Sequence, residues 1–253
     1  MQTLAGRTCL ITGASSGFGA HFARLTAAAG ARVVLGARRA ERVEALAAQV
    51  VAAGGEALAV AMDVTDEASV IAAYDAAEAA FGPVDTLIAN AGVSETGRSI
   101  EVSAAALRSV FDTNLFGLFL SVREAARRMI AAGSRNSGRG RILLVGSMGA
   151  YAPFPGGAAY CASKAGVASL GRSLASEWVR QGINVNVIQP GFIQTELAGD
   201  WFDSEGGKAQ IAGFQRRRLQ PIESLDEPVL YFCSDASSHT SGTVFSIDDG
   251  QSL

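Results

Sequence analysis

The sequence predicts a doubly wound α/β fold, a seven-stranded parallel sheet with helices packed on both faces. Three observations predict it. Short β-branched runs alternate with longer alanine-rich stretches, those runs are apolar almost throughout, and a glycine-rich turn separates the first run from the first long stretch. Alternation calls for crossover connections, which set successive strands parallel. Strands that are apolar on both sides are buried on both faces, so helices must cover the sheet twice.

The strand candidates, in order, are "RTCLI" (7–11), "RVVLG" (32–36), "EALAVAM" (56–62), "VDTLIA" (84–89), "RILLVG" (140–146), "INVNVIQ" (183–189) and "TVFSI" (243–247). Helix-length segments lie between them at 17–29, 39–53, 66–80, roughly 101–132 and 158–181. Seven strands without a break in composition read as one domain over residues 1–253, long enough to bury a large single core. The polar tract "AGSRNSGRG" (132–140) reads as a surface loop entering a strand. Residues 192–218 stand apart: they follow a strand, hold Trp201, Phe202 and Phe214, and contain "SEGG", the pattern of a mobile substrate lid over a pocket.

Composition narrows the function classes. A net charge of −3 gives no reason to expect nucleic acid or an anionic membrane as partner. No apolar run approaches the ~18–20 residues that span a bilayer. The opening "MQTLAGRTCLITG" reaches a strand at once, without a basic stretch, an apolar core and a cleavage site, which predicts a cytoplasmic protein. Cys9, Cys161 and Cys233 are odd in number and scattered, so no disulfide framework is expected. With His21 and His239 the only histidines, no metal site is expected either.

The turn "ITGASSGFG" (11–19) follows the first strand and opens the first helix. In that context Gly13 permits the tight turn, Gly17 lets a phosphate approach the backbone, and Gly19 allows close helix–strand packing. The helix N-terminus then offers free N–H groups to a pyrophosphate. This is the Rossmann-type arrangement, with Gly-x3-Gly-x-Gly spacing in place of the commoner Gly-x-Gly-x2-Gly. The second strand ends "VVLGARR", placing Arg38 and Arg39 where an NAD-binding chain carries a carboxylate for the ribose 2′-OH. A guanidinium fork suits phosphate, so the expected cofactor is NADP, with NAD possible. The alternative is that these arginines pair with Glu41 or Glu44. Asp63 and the backbone of Val64, at the end of the third strand, could bracket an adenine edge.

"YCASK" sets Tyr160 four residues before Lys164, in a chain with two lysines against nineteen arginines. On a helix, positions i and i+4 share a face. An ammonium ~4 Å from a phenolate, at an effective dielectric of ~20, contributes about 4 kcal/mol. That is enough to draw the phenol down towards neutral pH, where it could transfer a proton. Ser147 stands where the strand "RILLVG" runs out, at the carboxyl end that faces a ligand crevice in an open parallel sheet. Its hydroxyl could donate to a substrate oxygen beside the phenol, the alternative being an ordinary turn serine.

Together these residues resemble the short-chain dehydrogenase/reductase family in its single-domain form with a YxxxK active site, and the resemblance runs essentially end to end. It rests on "TGASSGFG" (12–19), "DV" (63–64), "NAG" (90–92), Asn114 in "FDTNLFG", Ser147, "YCASK" (160–164) and "PGFIQT" (190–195), in the family's order. The resemblance implies an NAD(P)-dependent oxidoreductase acting on CH–OH and C=O groups. It implies that Tyr160 is the general acid/base, that Lys164 holds the nicotinamide ribose and lowers the phenol's pKa, and that Ser147 orients the substrate oxygen. Asn114 would kink its helix through a water and extend a proton relay. It assigns the cofactor to Gly13, Ser15, Ser16, Gly17, Phe18 and Gly19, to Asn90, Ala91 and Gly92, and to Pro190, Gly191, Ile193 and Thr195, together with Tyr160 and Lys164. Three departures stand out: Ser16 where many NADP-using members have a basic residue, an altered stretch "QPIESLDEP", and "ANAG" in place of a doubled asparagine.

Val93, Met148, Tyr151, Phe154, Leu197, Trp201, Phe202 and Phe214 are candidate pocket or lid residues, or else plain packing. As a mostly apolar set they point to a small-molecule ketone or secondary alcohol with a hydrophobic body. The resemblance also implies a homotetramer joined through helices around 101–132 and 158–181 and the C-terminal strand. Three alternatives remain: a reductase of carrier-protein-bound 3-ketoacyl chains docking on Arg127, Arg128, Arg172 and Arg180, an NAD-dependent secondary-alcohol dehydrogenase, and a non-catalytic cofactor sensor.

Overall fold

The structure, a computed structural model, describes residues 4–253; residues 1–3 of the expected domain lie outside the described residues. Seven strands form one parallel sheet: β1 (Thr8–Thr12), β2 (Arg32–Ala37), β3 (Glu56–Ala61), β4 (Thr86–Ala89), β5 (Gly140–Val145), β6 (Ile183–Pro190) and β7 (Val244–Ile247). Their order is β3-β2-β1-β4-β5-β6-β7, and every neighbouring pair is parallel. Each coincides with an expected strand to within about two residues. The strand order reverses beside β1, which pairs with β2 on one side and β4 on the other.

The unbroken apolar runs are explained by the alternation of side chains across the pleat. Leu10, Val34, Leu87, Ile142, Leu144, Val185 and Val187 join one core, with residues of α3 (Glu67–Phe81), α5 (Leu118–Ala131) and α7 (Ala158–Trp178). Their neighbours Cys9, Ile11, Val33, Leu35, Ile88, Leu143, Val145 and Ile188 join a second core, with α1 (Gly17–Ala28), α2 (Ala40–Ala52) and α9 (Asp226–Cys233). Both faces are therefore covered, as period-2 geometry requires of a strand with no polar side. At the opposite end of the sheet from the glycine turn, the buried Arg7 donates to Thr86 Oγ1 (3.1 Å) and the Arg139 carbonyl (3.0 Å) and pairs with Asp235.

Three segments depart from expectation. The single helix expected over 101–132 is three pieces: α4 (Ala104–Phe111), a π turn over Asp112–Gly117, and α5. The wider turn carries Asn114 inward, where it is fully buried and bonds to Val93 and Ser163; such π turns gather at functional sites. The tract 132–140 is a loop that includes a four-residue helical turn, α6 (Ser134–Ser137), and ends in β5. The segment 192–218 contains α8 (Glu205–Gly213), which the sequence did not announce. Among the described residues no helix is long and apolar enough to cross a membrane.

Helix α7 lies close on the sheet because Gly171 has no side chain: a Cβ there would stand 2.4 Å from Val187 Cγ2 and 3.2 Å from Leu144 Cδ1. Gly171→Ala is expected to cost about 1–3 kcal/mol of stability through overpacking. Urea denaturation reads this directly, and an unshifted midpoint would show that the helix can back away freely.

Candidate active site

A cavity of about 470 Å³ opens at the carboxyl ends of the strands, within the range usual for small-molecule sites. Its wall brings together Gly13, Ser15, Ser16, Gly17, Phe18, Arg38, Arg39, Asp63, Val64, Asn90, Ala91, Gly92, Tyr160, Lys164 and Thr195, all expected from the sequence. Gly19, Asn114, Ser147, Pro190, Gly191 and Ile193 do not line it. Gly19 packs behind the turn, where a Cβ would meet the Gly13 carbonyl at 2.3 Å. Pro190 closes β6 against Ile247, Gly191 donates its N–H to the Ile247 carbonyl (2.9 Å), and Ile193 is buried in the core beside α1 and α9. The last three thus shape the wall from behind rather than face the cavity.

Gly13 (φ +69°) and Gly17 (φ +51°) both take left-handed backbone conformations that other residues rarely adopt. A Cβ on Gly13 would meet Ala91 Cα at 2.8 Å, so the loops after β1 and β4 touch backbone to backbone. One hydroxyl ties them: Thr12 Oγ1 accepts the N–H groups of both Asn90 and Ala91 (3.0 Å each). Asn90 returns the contact by donating Nδ2 to the Thr12 carbonyl (3.0 Å). Thr12 stood inside the quoted glycine motif without an assigned role; its position at the last residue of β1 was the available signal.

At one end of the cavity, Arg38 makes no side-chain hydrogen bond or ion pair among the described residues and is exposed. Arg39 does not pair with Glu41 or Glu44. It donates to Ser15 Oγ (2.9 and 3.0 Å) and Ser16 Oγ (2.7 Å) and pairs with Glu196, which also takes Arg42 at 2.6 Å. The two arginines hold the Glu196 carboxyl below its ordinary pKa. Glu196 comes from the far side of the cavity, and sequence reasoning missed it because nothing local relates it to α2. Asp63 points back into its own loop, accepting from Thr65 N (3.0 Å) and Thr65 Oγ1 (2.8 Å). Burial opposes its ionisation, but the Thr65 hydrogen bonds and the nearby Arg38 charge outweigh it and keep the carboxyl below the usual range.

At the other end stand Tyr160 and Lys164, one helical turn apart on α7. Lys164 is buried, and its Nζ donates to the Val145 carbonyl (2.8 Å) while lying 5.7 Å from the centre of the Tyr160 ring. The Ser147 hydroxyl accepts the Gly149 N–H (3.1 Å), and its influence on the neighbouring phenol is to ease the phenol's pKa downward. The expected lowering of the phenol by the ammonium is not what the protein alone produces. Burial pushes Tyr160 above its ordinary value, against the easing effect of Ser147, and Lys164 is pushed down to about 8 by burial. Two neighbouring charges stabilise each other only once both are formed, and desolvation penalises each charged form first.

Asn114 supports this end from behind. Its Oδ1 accepts from Val93 N (2.8 Å), and its Nδ2 donates to the Val93 carbonyl (2.9 Å) and Ser163 Oγ (3.0 Å). The kink is made by the π turn, and the amide links the loop after β4 to α7. Beside Tyr160 lies an aromatic group: Phe154 is 6.3 Å from the Tyr160 ring and 5.4 Å from Phe192, which stacks on Phe214 (5.6 Å) and meets Phe202 edge-on (5.9 Å). Val93 and Leu197 line the cavity and Met148 is buried. Tyr151 and Trp201 are half exposed, with their polar atoms on Asp248 and Gln210. Phe192 is held by Gln251, whose Oε1 accepts its N–H (2.6 Å) and whose Nε2 donates to its carbonyl (3.2 Å). Gln251 was also missed, since only folding brings the chain end to this loop.

The residues present fit a dinucleotide: left-handed glycines in the turn that opens α1, a crevice between the loops after β1 and β4, and cationic groups at both of its ends. The comparisons agree. A family model described as short chain dehydrogenase matches residues 7–206. The cis-4-hydroxycyclohexanecarboxylate dehydrogenase of Sinomonas cyclohexanicum is 39% identical over 250 residues, covering 98% of each chain. A gluconate 5-dehydrogenase from Burkholderia cenocepacia J2315, solved in complex with NADP and tartrate, superposes with a TM-score of 0.92 at 30% identity, covering 98% of this chain and 96% of its own. A 3-ketoacyl-(acyl-carrier-protein) reductase from Brucella melitensis, solved with NADH, gives 0.89 at 33%, covering 99% of this chain and all of its own.

Two expectations follow. Below pH 8 the folded protein bears the full cost of a buried Lys164 ammonium. Between about 8 and 10.5, the ordinary value, the unfolded chain binds a proton that the folded one does not, so stability should rise with pH. Denaturation of wild type against Lys164→Met from pH 7 to 10.5 should therefore show the wild type gaining on the variant; a constant difference would contradict the buried ammonium. Gln251→Ala leaves the Phe192 N–H without its partner and should cost about 1–3 kcal/mol. Faster hydrogen exchange at that amide is the local readout.

Proposed function

The chain belongs to the short-chain dehydrogenase family, oxidoreductases acting on CH–OH groups, and from that premise we propose that it interconverts a secondary alcohol and a ketone on a hydrophobic small molecule with NADP as coenzyme. The observation that carries this reading is a single cavity with Tyr160 and Lys164 at one end and Arg38 and Arg39 at the other. When bound, the nicotinamide supplies or accepts the hydride.

The chain's own residues divide the remaining work. Tyr160 Oη gives its proton to the carbonyl oxygen during reduction and takes it back from the alcohol during oxidation. A phenol kept protonated by burial is ready for the first direction. Ser147 Oγ, at the strand end beside that phenol, orients the substrate oxygen. Lys164 holds the nicotinamide ribose hydroxyls, and its lowered pKa leaves an amine that can pass a proton near pH 8. Asn114 keeps the Val93 loop and α7 in register, a positioning role consistent with three hydrogen bonds to protein groups. Gly13 to Gly19 and Asn90 to Gly92 receive the dinucleotide backbone, Thr195 the carboxamide, and the backbones of Pro190, Gly191 and Ile193 support that wall. Arg38, which makes no side-chain hydrogen bond or ion pair among the described residues, takes the 2′-phosphate.

The aromatic group of Phe154, Phe192, Phe202 and Phe214 beside the phenol supports a substrate with an apolar body, and residues 192–218 form its lid. A 3-ketoacyl carrier reductase has less support, because two of its four docking arginines are engaged: Arg128 pairs with Asp75, Glu78 and Glu124, and Arg127 with Glu124. We further propose a cytoplasmic, single-domain homotetramer. An apolar groove along Leu115, Phe116, Phe119 and Leu170, on the helices expected to join subunits, supports the assembly, as does the exposed Phe245 on the edge strand β7. Three buried free thiols suit a reducing compartment.

A panel of ketones and secondary alcohols, each run with both coenzymes, tests the reading. Tyr160→Phe should lower kcat at least ~100-fold, the usual share of a general acid, with dinucleotide binding retained; full turnover would refute the assignment. Arg38→Asp should swing preference towards NAD, and an unchanged preference for NADP would refute the phosphate role.

A further inference from the structure

Arg39 and Arg42 both pair with Glu196. Glu196 follows Thr195 at the start of the segment after β6, while both arginines belong to the segment after β2, so the ion pairs cross the cavity. Arg39 spreads its remaining donors over Ser15 and Ser16, leaving a fork, two hydroxyls and a carboxylate as one exposed cluster beside Arg38. Such a set would hold a phosphate well if the carboxylate were absent: guanidinium forks and hydroxyls are its usual partners. A phosphate dianion and a carboxylate cannot share one fork without repulsion between like charges.

We propose that Glu196 sets coenzyme choice by competing with a 2′-phosphate for Arg39 and Arg42. This rests on the dinucleotide reading above and adds a residue to it. A coenzyme without the phosphate leaves the ion pairs intact, and with them the tether between α2 and the segment leading to α8. A coenzyme with the phosphate must displace Glu196, so part of the favourable contact made by the arginines is offset by the pairs it breaks. Exposed pairs of this kind are individually weak, so the competition tunes preference rather than excluding either coenzyme.

Calorimetric titration of the unliganded protein tests this without any turnover. The probes are NADP and NAD, with 2′,5′-ADP and 5′-AMP as fragments that carry or lack the phosphate but have no nicotinamide. In Glu196→Gln, NADP and 2′,5′-ADP should bind about tenfold tighter at low salt, the size expected when two exposed ion pairs no longer have to be broken. NAD and 5′-AMP should move less than twofold. A tether acting only on cavity shape would shift both pairs of probes equally; that result, or no shift at all, overturns the role of Glu196 while leaving the dinucleotide reading intact. If wild type binds neither dinucleotide, both readings fail together.

Discussion

The close approach of two backbone loops, after β1 and after β4, is the constraint on which the rest of the site depends. Because β2 and β4 flank β1, the chain leaves these neighbouring strands towards opposite faces of the sheet, and a crevice opens between the connections at their carboxyl ends. The crevice keeps its shape because Gly13 and Ala91 touch through their backbones and Thr12 Oγ1 accepts an N–H from each of two successive residues. A larger side chain at position 13, or a residue at 12 without an acceptor, would separate the loops and with them the two ends of the cavity.

Electrostatics inside the crevice are governed by burial before they are governed by pairing. Tyr160 and Lys164 share a helix face, but each is desolvated there, so the phenol is held protonated and the amine is drawn towards its neutral form. The ammonium finds its hydrogen bond at the carbonyl of Val145, on the strand that also leads to Ser147. The three functional groups are therefore referenced to one rigid strand end and one helix, which is the arrangement that keeps reacting atoms oriented.

The opposite end works on different physics. Arg39, Arg42 and Glu196 are exposed and screened, so their contacts exchange readily with solvent and ligand. One end of the crevice is thus stiff and dry and the other wet and exchangeable. The aromatic group around Phe192 hangs from Gln251, so the wall nearest Tyr160 depends on the turn that follows β7.

The strands, their parallel arrangement, the glycine turn and the Tyr160–Lys164 spacing were all legible in the sequence, because each depends on residues within one or two turns of the backbone. Period-2 and period-3.6 patterns are local, and so is the left-handed geometry of Gly13 and Gly17. Folding alone decided that Glu196 reaches Arg39, that Gln251 holds Phe192, that Asn114 sits in a π turn, and that burial holds the phenol above its ordinary pKa. Those outcomes join residues separated by up to 157 positions, or depend on how much water the finished fold excludes. Neither a spacing nor a composition records contact between distant segments or the dielectric that results from it.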